Sequence, residues 1–169
     1  HDEALSTVRK AQDLAHSADS HAYDTWLRML GAAAALAGGD RTAARDGLLA
    51  IETPGAPLRR GDQALNHYLR GWLAALENNA AATSREMKIA LALADELGIP
   101  GLACLVRIAA AQQLSVESDH RGADTMLRGA HDMANATRSP MLLTAAKLAL
   151  AGAALEAGGE AGLHDASSF

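Results

Sequence analysis

GWLAALENNAAATSREMKIALALADELGIP, residues 71–100, holds two helices and the signals that end each of them. The first helix starts near Asp62 and runs to Glu77. Asn78 and Asn79 make a tight turn, and both tolerate the backbone geometry such a turn needs. A second helix then runs from Asn79 to Leu97. Gly98 closes it and Pro100 keeps it from resuming, the order expected at a helix C-terminus.

This hairpin recurs. Gly39, Asn78, Ser118 and Gly159 mark the same place in successive units, at spacings of 39, 40 and 41 residues. Ala11, Ile51, Ala90 and Ala130 give a second ruler, at 40, 39 and 40, near the end of the second helix of each pair. A fixed period in this range marks stacked supersecondary units. The units predicted are 1–20 (partial), 21–57, 58–100, 101–139 and 140–169 (partial). The first helix, Asp2 to about Ala18, carries Ala4, Leu5, Val8, Ala11, Leu14 and Ala15 at helical spacing. The next pair covers His21–Ala37 and Asp40–Glu52, with Gly38 and Gly39 as stop and Asp40 as cap. Pro54, Gly55 and Pro57 make the longest connector. The fourth pair covers Gly101–Val116 and Asp119–Thr137. Ser139 and Pro140 open a helix expected to end at Ala157, where Gly158 and Gly159 turn the chain into a short helix over Glu160–Asp165. The fold expected is all-α: a right-handed αα-superhelix of about eight helices plus a truncated terminal one, in a single domain over 1–169.

Composition agrees. Apolar residues make up 49% of the 169, but aromatics only 3%, so small side chains supply the core and let helices approach closely. A net charge of −5 argues against a nucleic-acid surface, which needs clustered Lys and Arg. No apolar run approaches the roughly 20 residues that span a bilayer. The single cysteine, Cys104, has no internal disulfide partner and fits a reducing compartment, so a cytoplasmic location is expected. The chain opens on His1 rather than Met and turns helical almost at once, which reads as a piece of a longer polypeptide.

The pairs resemble tetratricopeptide repeats. In that family a small residue of the first helix packs on a small residue of the second, with a larger apolar residue one turn on. Ala32, Gly71, Ala111 and Gly152 match the first role. Ala4, Ala44, Thr83 and Ala123 match the second, and Val8, Leu48, Met87 and Leu127 the third. The units here are longer than the family's roughly 34 residues, and its first-helix tryptophan and closing proline are mostly missing. The long second helices, with Ala11–Ala15, Ala90–Ala94 and Ala130–Ala134, are similar to the helical sensor regions of LuxR-type bacterial regulators related to the maltose activator. That likeness implies a sensor segment, with DNA binding left to a separate domain.

In the family, the first helix of each pair lines a concave groove. The matching positions are Trp26, Met29, Leu36, Leu65, Tyr68, Trp72, Ile108, Gln112 and Glu156. Arg107 lies on the same helices, as do Arg28 and Arg70, and would receive an acidic ligand. The residues expected to carry binding are Trp26, Met29, Tyr68, Trp72, Arg107, Ile108 and Gln112; both tryptophans of the chain fall among them. Trp and Tyr are favoured at binding surfaces because they join apolar area to a polar tip. The same spacing also serves plain packing.

Catalytic patterns are missing. None of the seven histidines has a histidine three or four residues away, as a helical metal site would require. There is no Gly-x-Ser-x-Gly turn and no glycine-rich phosphate loop after a strand. Cys104 reads as a buried, inert thiol, and His67 beside Tyr68 as an ordinary histidine. The expected role is therefore non-catalytic, with no cofactor and no metal: a groove that holds a peptide, a protein or a small effector. The competing reading is a scaffold that self-associates into a homo-oligomer. Trp72→Ala separates groove from core. A groove residue loses affinity and spares folding, whereas a buried tryptophan costs about 3–5 kcal/mol. Thermal stability and partner affinity, measured together, decide.

Overall fold

The computed structural model describes residues 2–18, 23–51 and 58–166, of which 157–166 are described by backbone alone. Eight α-helices follow one another: α1 (Asp2–Ser17), α2 (Asp24–Ala37), α3 (Arg41–Ile51), α4 (Arg60–Leu76), α5 (Ala80–Glu96), α6 (Pro100–Val116), α7 (His120–Ala136) and α8 (Pro140–Ala166). No strand occurs among the described residues. Nor is any described helix long and apolar enough to cross a membrane. The expected connector at Pro54, Gly55 and Pro57 lies outside the described residues, as does the expected helix start at His21.

The turns explain the period. Gly39, Asn78, Gly98, Ser118 and Arg138 all have positive φ, between 52° and 78°. After each, the next residue's N–H reaches back to a carbonyl five positions earlier: Asp40 to Ala35 at 2.9 Å, Asn79 to Ala74 at 2.9 Å, Ile99 to Ala94 at 2.8 Å, Asp119 to Leu114 at 2.9 Å and Ser139 to Ala134 at 3.4 Å. A residue in the left-handed region, closed by this bond, is the standard way to satisfy a helix's last carbonyls. The residue that closes one helix then caps the next. Asp40 accepts from the Ala43 N–H, Asn79 from Ala82, Asp119 from Gly122 and Ser139 from Leu142, at 3.0, 3.1, 2.9 and 3.4 Å. Ile99 has no side chain to do this, and Pro100, which lacks an N–H, follows it.

The units 58–100 and 101–139 read from the sequence thus each contain the same turn twice. Helices α4 to α7 are each 17 residues long, and α4 to α8 begin at 60, 80, 100, 120 and 140. The expected break at Gly158 and Gly159 does not occur: α8 continues to Ala166. Gly38-Gly39-Asp40 turns and Gly158-Gly159-Glu160 does not. Aspartate is a strong N-cap, whereas glutamate is one methylene too long for the role. A helical glycine costs only about 1 kcal/mol relative to alanine.

The chain divides into two compact units, His1–Glu86 and Met87–Phe169. In the first, α1 packs on α2, α2 on α3 and α4, and α3 on α4. Its core joins Met29, Ala32, Leu36, Ala44, Leu48, Leu69 and Leu73. In the second, α6 packs on α7, α7 on α8, and α6 on α8. Two clusters fill it, one around Cys104, Ala130, Ala134, Leu142 and Ala146, the other around Ala111, Ala123, Leu127 and Leu150. In both units the first helices of successive pairs touch, α2 with α4 and α6 with α8. The matched second-helix positions Ala44, Leu48, Thr83, Met87, Ala90, Ala123, Leu127 and Ala130 are all buried. Helix α1 is the exception. It buries no residue, Ala4 is exposed, and Leu14 is 71% exposed.

The turn geometry is testable in two directions. A non-glycine residue in the left-handed region costs roughly 1–2 kcal/mol. Arg138→Gly should therefore raise stability and Gly98→Ala lower it by about 1 kcal/mol each, read as opposite shifts in the urea midpoint.

Candidate functional site

The second unit carries an open cleft of about 400 Å³. Helix α6 supplies one wall with Ala111, Gln112, Ser115 and Val116. Helix α8 supplies the other with Leu148, Ala149, Gly152, Ala153 and Glu156, and Leu127 of α7 also lines it. Ala111 and Leu127 are buried, while Val116 and Leu148 are 81% and 69% exposed. The walls are apolar, and Gln112, Ser115 and Glu156 bring the polar groups. The cleft depends on small residues. Gly152 has open space where its side chain would project. At the matched positions Ala32, Gly71 and Ala111 the small residue is buried, whereas Gly152 is only partly so. Helix α8 does not fold back after Gly159, so no described helix covers that face.

The seven expected binding residues do not form one site. Gln112 is on the cleft wall, as is Glu156 from the wider groove set. Ile108 lies one turn away on α6, partly buried between the two clusters. Met29 corrects the expectation: it is fully buried in the first core, so no ligand reaches it. Trp26, three residues earlier, is 46% exposed. The spacing put both on one face, but Met29 shares its stripe with Ala32 and Leu36, which face the core, and Trp26 lies at its edge. Tyr68 and Trp72 pack on that core and on each other, ring centroids 6.1 Å apart and planes tilted by 46°. Burial also raises the Tyr68 pKa. Arg107 is engaged within the protein: its Nη1 and Nη2 donate to both oxygens of Asp95, at 3.0–3.2 Å, and its stem lies against Gly129. Arg28 donates to the Ala50 carbonyl. Cys104 is buried and donates to the Ala130 carbonyl at 3.4 Å; burial raises its pKa, partly offset by the Arg107 charge.

The sequence reading missed two features. Met141, Leu148 and Leu155, seven residues apart along α8, are 70%, 69% and 48% exposed. All three lie inside the helix expected from Pro140 to Ala157, so the spacing was legible, but periodicity alone does not say which apolar row stays uncovered. The second feature is a polar cluster in the first unit. His67 Nδ1 lies 2.7 Å from Glu86 Oε2, and Arg85 donates to Glu86 Oε1 through Nε and Nη2. His67 and Glu86 are 19 residues apart on different helices, so no local pattern pairs them. Asn66, on α4, buries its Oδ1 with no hydrogen-bond partner. Among the described residues no group of three His, Cys, Asp or Glu could hold a metal ion.

No family model matches the chain, and neither does any curated protein or solved structure.

Burial alone would raise the Glu86 pKa. The hydrogen bonds from His67 and Arg85 and the nearby charges of His67 and Arg70 outweigh it, and the carboxyl is held below its ordinary value. The unfolded chain therefore binds this proton more tightly. Glu86 contributes stability above about pH 4.5, its ordinary value, and the contribution is lost as pH falls through the lower folded value. Glu86→Gln should lower stability at neutral pH and flatten the acid limb of a thermal-stability profile.

Proposed function

We propose that this chain is a non-catalytic binding module, and that the cleft between α6 and α8 takes an amphipathic helical segment of a partner polypeptide. One observation carries the reading. Next to an apolar cleft floored by small residues, α8 exposes Met141, Leu148 and Leu155 at heptad spacing. A partner helix that lays its apolar stripe on such a surface buries both faces at once. Ala149, Gly152 and Ala153 let its backbone come close. Glu156 favours a basic residue at one end of the segment, and Gln112 and Ser115 offer hydrogen bonds at the other wall. Scattered exposed apolar residues need no explanation, but three at heptad spacing on one helix, with Leu148 itself on the cleft wall, support an interaction site.

The same row supports a second occupant, another copy of this chain, which is the self-association reading. The larger context in which such a module would act, the sensor segment of a LuxR-type cytoplasmic regulator, comes from the sequence likeness. It calls for the same face to be free for an effector or a partner.

Gly152 gives a clean test. Leucine there projects into open space, so it fills the cleft without a clash and improves helix propensity by roughly 1 kcal/mol. Helical peptides selected from a display library against the wild-type chain should share an apolar i, i+3/i+4, i+7 stripe and a basic end. Their affinity should fall at least about tenfold for Gly152→Leu, a loss of about 1.4 kcal/mol, while thermal stability holds or rises. No shared stripe among the selected peptides, or equal affinity for the filled cleft, rejects the reading. A concentration-dependent dimer in sedimentation that Gly152→Leu abolishes selects the second copy as occupant.

A further inference from the structure

We propose that the helix which covers the exposed row of α8 is α1 of a second copy of this chain, so that copies join head to tail; this occupant rests on reading that surface as helix-binding. In the first unit α3 packs on its own first helix, α2, and on the next one, α4. In the second unit α7 packs likewise on α6 and α8. Helix α1 carries the same stripe: Ala4, Val8, Ala11 and Ala15 stand 119 residues before Ala123, Leu127, Ala130 and Ala134 of α7. Those four are buried in α7, but in α1 Ala4 is exposed and the other three are only partly covered. Among the described residues of its unit, α1 packs on α2 alone, where Val8 lies against Gly31. Leu14 stands 119 residues before Met133, which packs on the Cys104 cluster, yet Leu14 is 71% exposed.

Helix α8 shows the complementary gap. It begins forty residues after α6. Cys104, Ile108 and Ala111, which share clusters with α7, therefore correspond to Thr144, Leu148 and Ala151. Thr144 is exposed, Leu148 is 69% exposed and Ala151 is only partly covered. The row that α6 turns to its second helix is the row that α8 leaves open, and α1 is a second helix with its stripe half open. Helix α2 adds an independent observation. Trp26 and Leu30 stand 39 residues before Leu65 and Leu69, which pack in the first core, where α4 meets α2. On α2 they are 46% and 37% exposed, so the surface next to α1 also fits a first helix from another pair. One α8 from a second copy answers both. Small residues on each side, Ala4 and Ala11 against Ala151 and Gly152, permit close approach, and Leu14 and Leu148 supply apolar area to bury. The two faces differ, so the contact is heterologous and leaves each copy with one face of each kind.

The test is sedimentation velocity on the full chain over a concentration series. Leu14→Asp and Leu148→Asp alter side chains that are exposed in a single copy, and a circular dichroism spectrum matching wild type confirms that each variant is folded. Wild type should associate as concentration rises, and each variant alone at least about tenfold more weakly. An equimolar mixture of the two variants should recover association and stop at dimers, because it retains one intact α1 face and one intact α8 face. The register gives a second check. Lys10 and Lys147 hold the places of Gly129 and Arg107, which lie against each other in the α6–α7 pair. Lys147→Glu should therefore tighten association about threefold by facing Lys10 of the other copy, and adding Lys10→Glu should undo the gain. A mixture that stays monomeric, association by Leu14→Asp equal to wild type, or indifference to both lysine variants would each overturn the proposal. A pairing of α8 with α8 produces the first two of those results. A wild-type chain that stays monomeric up to about 1 mM also overturns it. Helical peptides that still bind such a chain leave the cleft reading standing, whereas absence of both association and peptide binding removes the two together.

Discussion

A three-residue reversal governs this protein. At each described turn, one residue enters the left-handed region, the next returns its N–H to the helix just finished, and that same residue opens the helix to come. At four of the five, two sets of orphaned backbone groups, carbonyls at one end and amides at the other, are satisfied within a single turn; Ile99 has no capping side chain. So short a connection leaves no freedom for the next helix except to run back along the last. Alanine-rich faces then meet at close range, and the buried apolar residues are mostly Ala and Leu, with Met29, Ile51, Met87, Cys104 and Val106 among them.

Much of this was legible because the signals are local. Asp40, Asn79, Asp119 and Ser139 are residues that cap, and each caps in the structure. Gly39 and Gly98 are residues that turn. Arg138 carries no such signal, since arginine has no preference for positive φ, and so the second turn of that unit was visible only through Ser139 and Pro140. The glycine pair at 158–159 misled for the opposite reason: the stop was written without the cap. Side-chain roles were harder to read. Periodicity assigns a residue to a face, but the edge of a face and its centre differ in burial, as Trp26 and Met29 show. Contacts between helices, such as His67 with Glu86 or Arg107 with Asp95, need the third dimension.

The two units place opposite chemistry within similar scaffolds. In the first, charged groups gather where three helices meet, and the buried Glu86 is held by hydrogen bonds from His67 and Arg85. In the second, the cleft between α6 and α8 is largely apolar and open, and Gly152 leaves space on its wall. One frame thus accommodates a polar recess and an apolar one by changing a few side chains, while the helix backbone carries the same hydrogen bonds in both.

The punctuation also constrains how such a chain can change in length. Helices joined by identical reversals alternate in direction, so losing one of them would point every later helix the wrong way and bring unlike faces together. Losing two restores the alternation. Duplication or deletion in steps of two helices would keep every later helix on its own face, and a forty-residue rhythm is the period that such steps preserve.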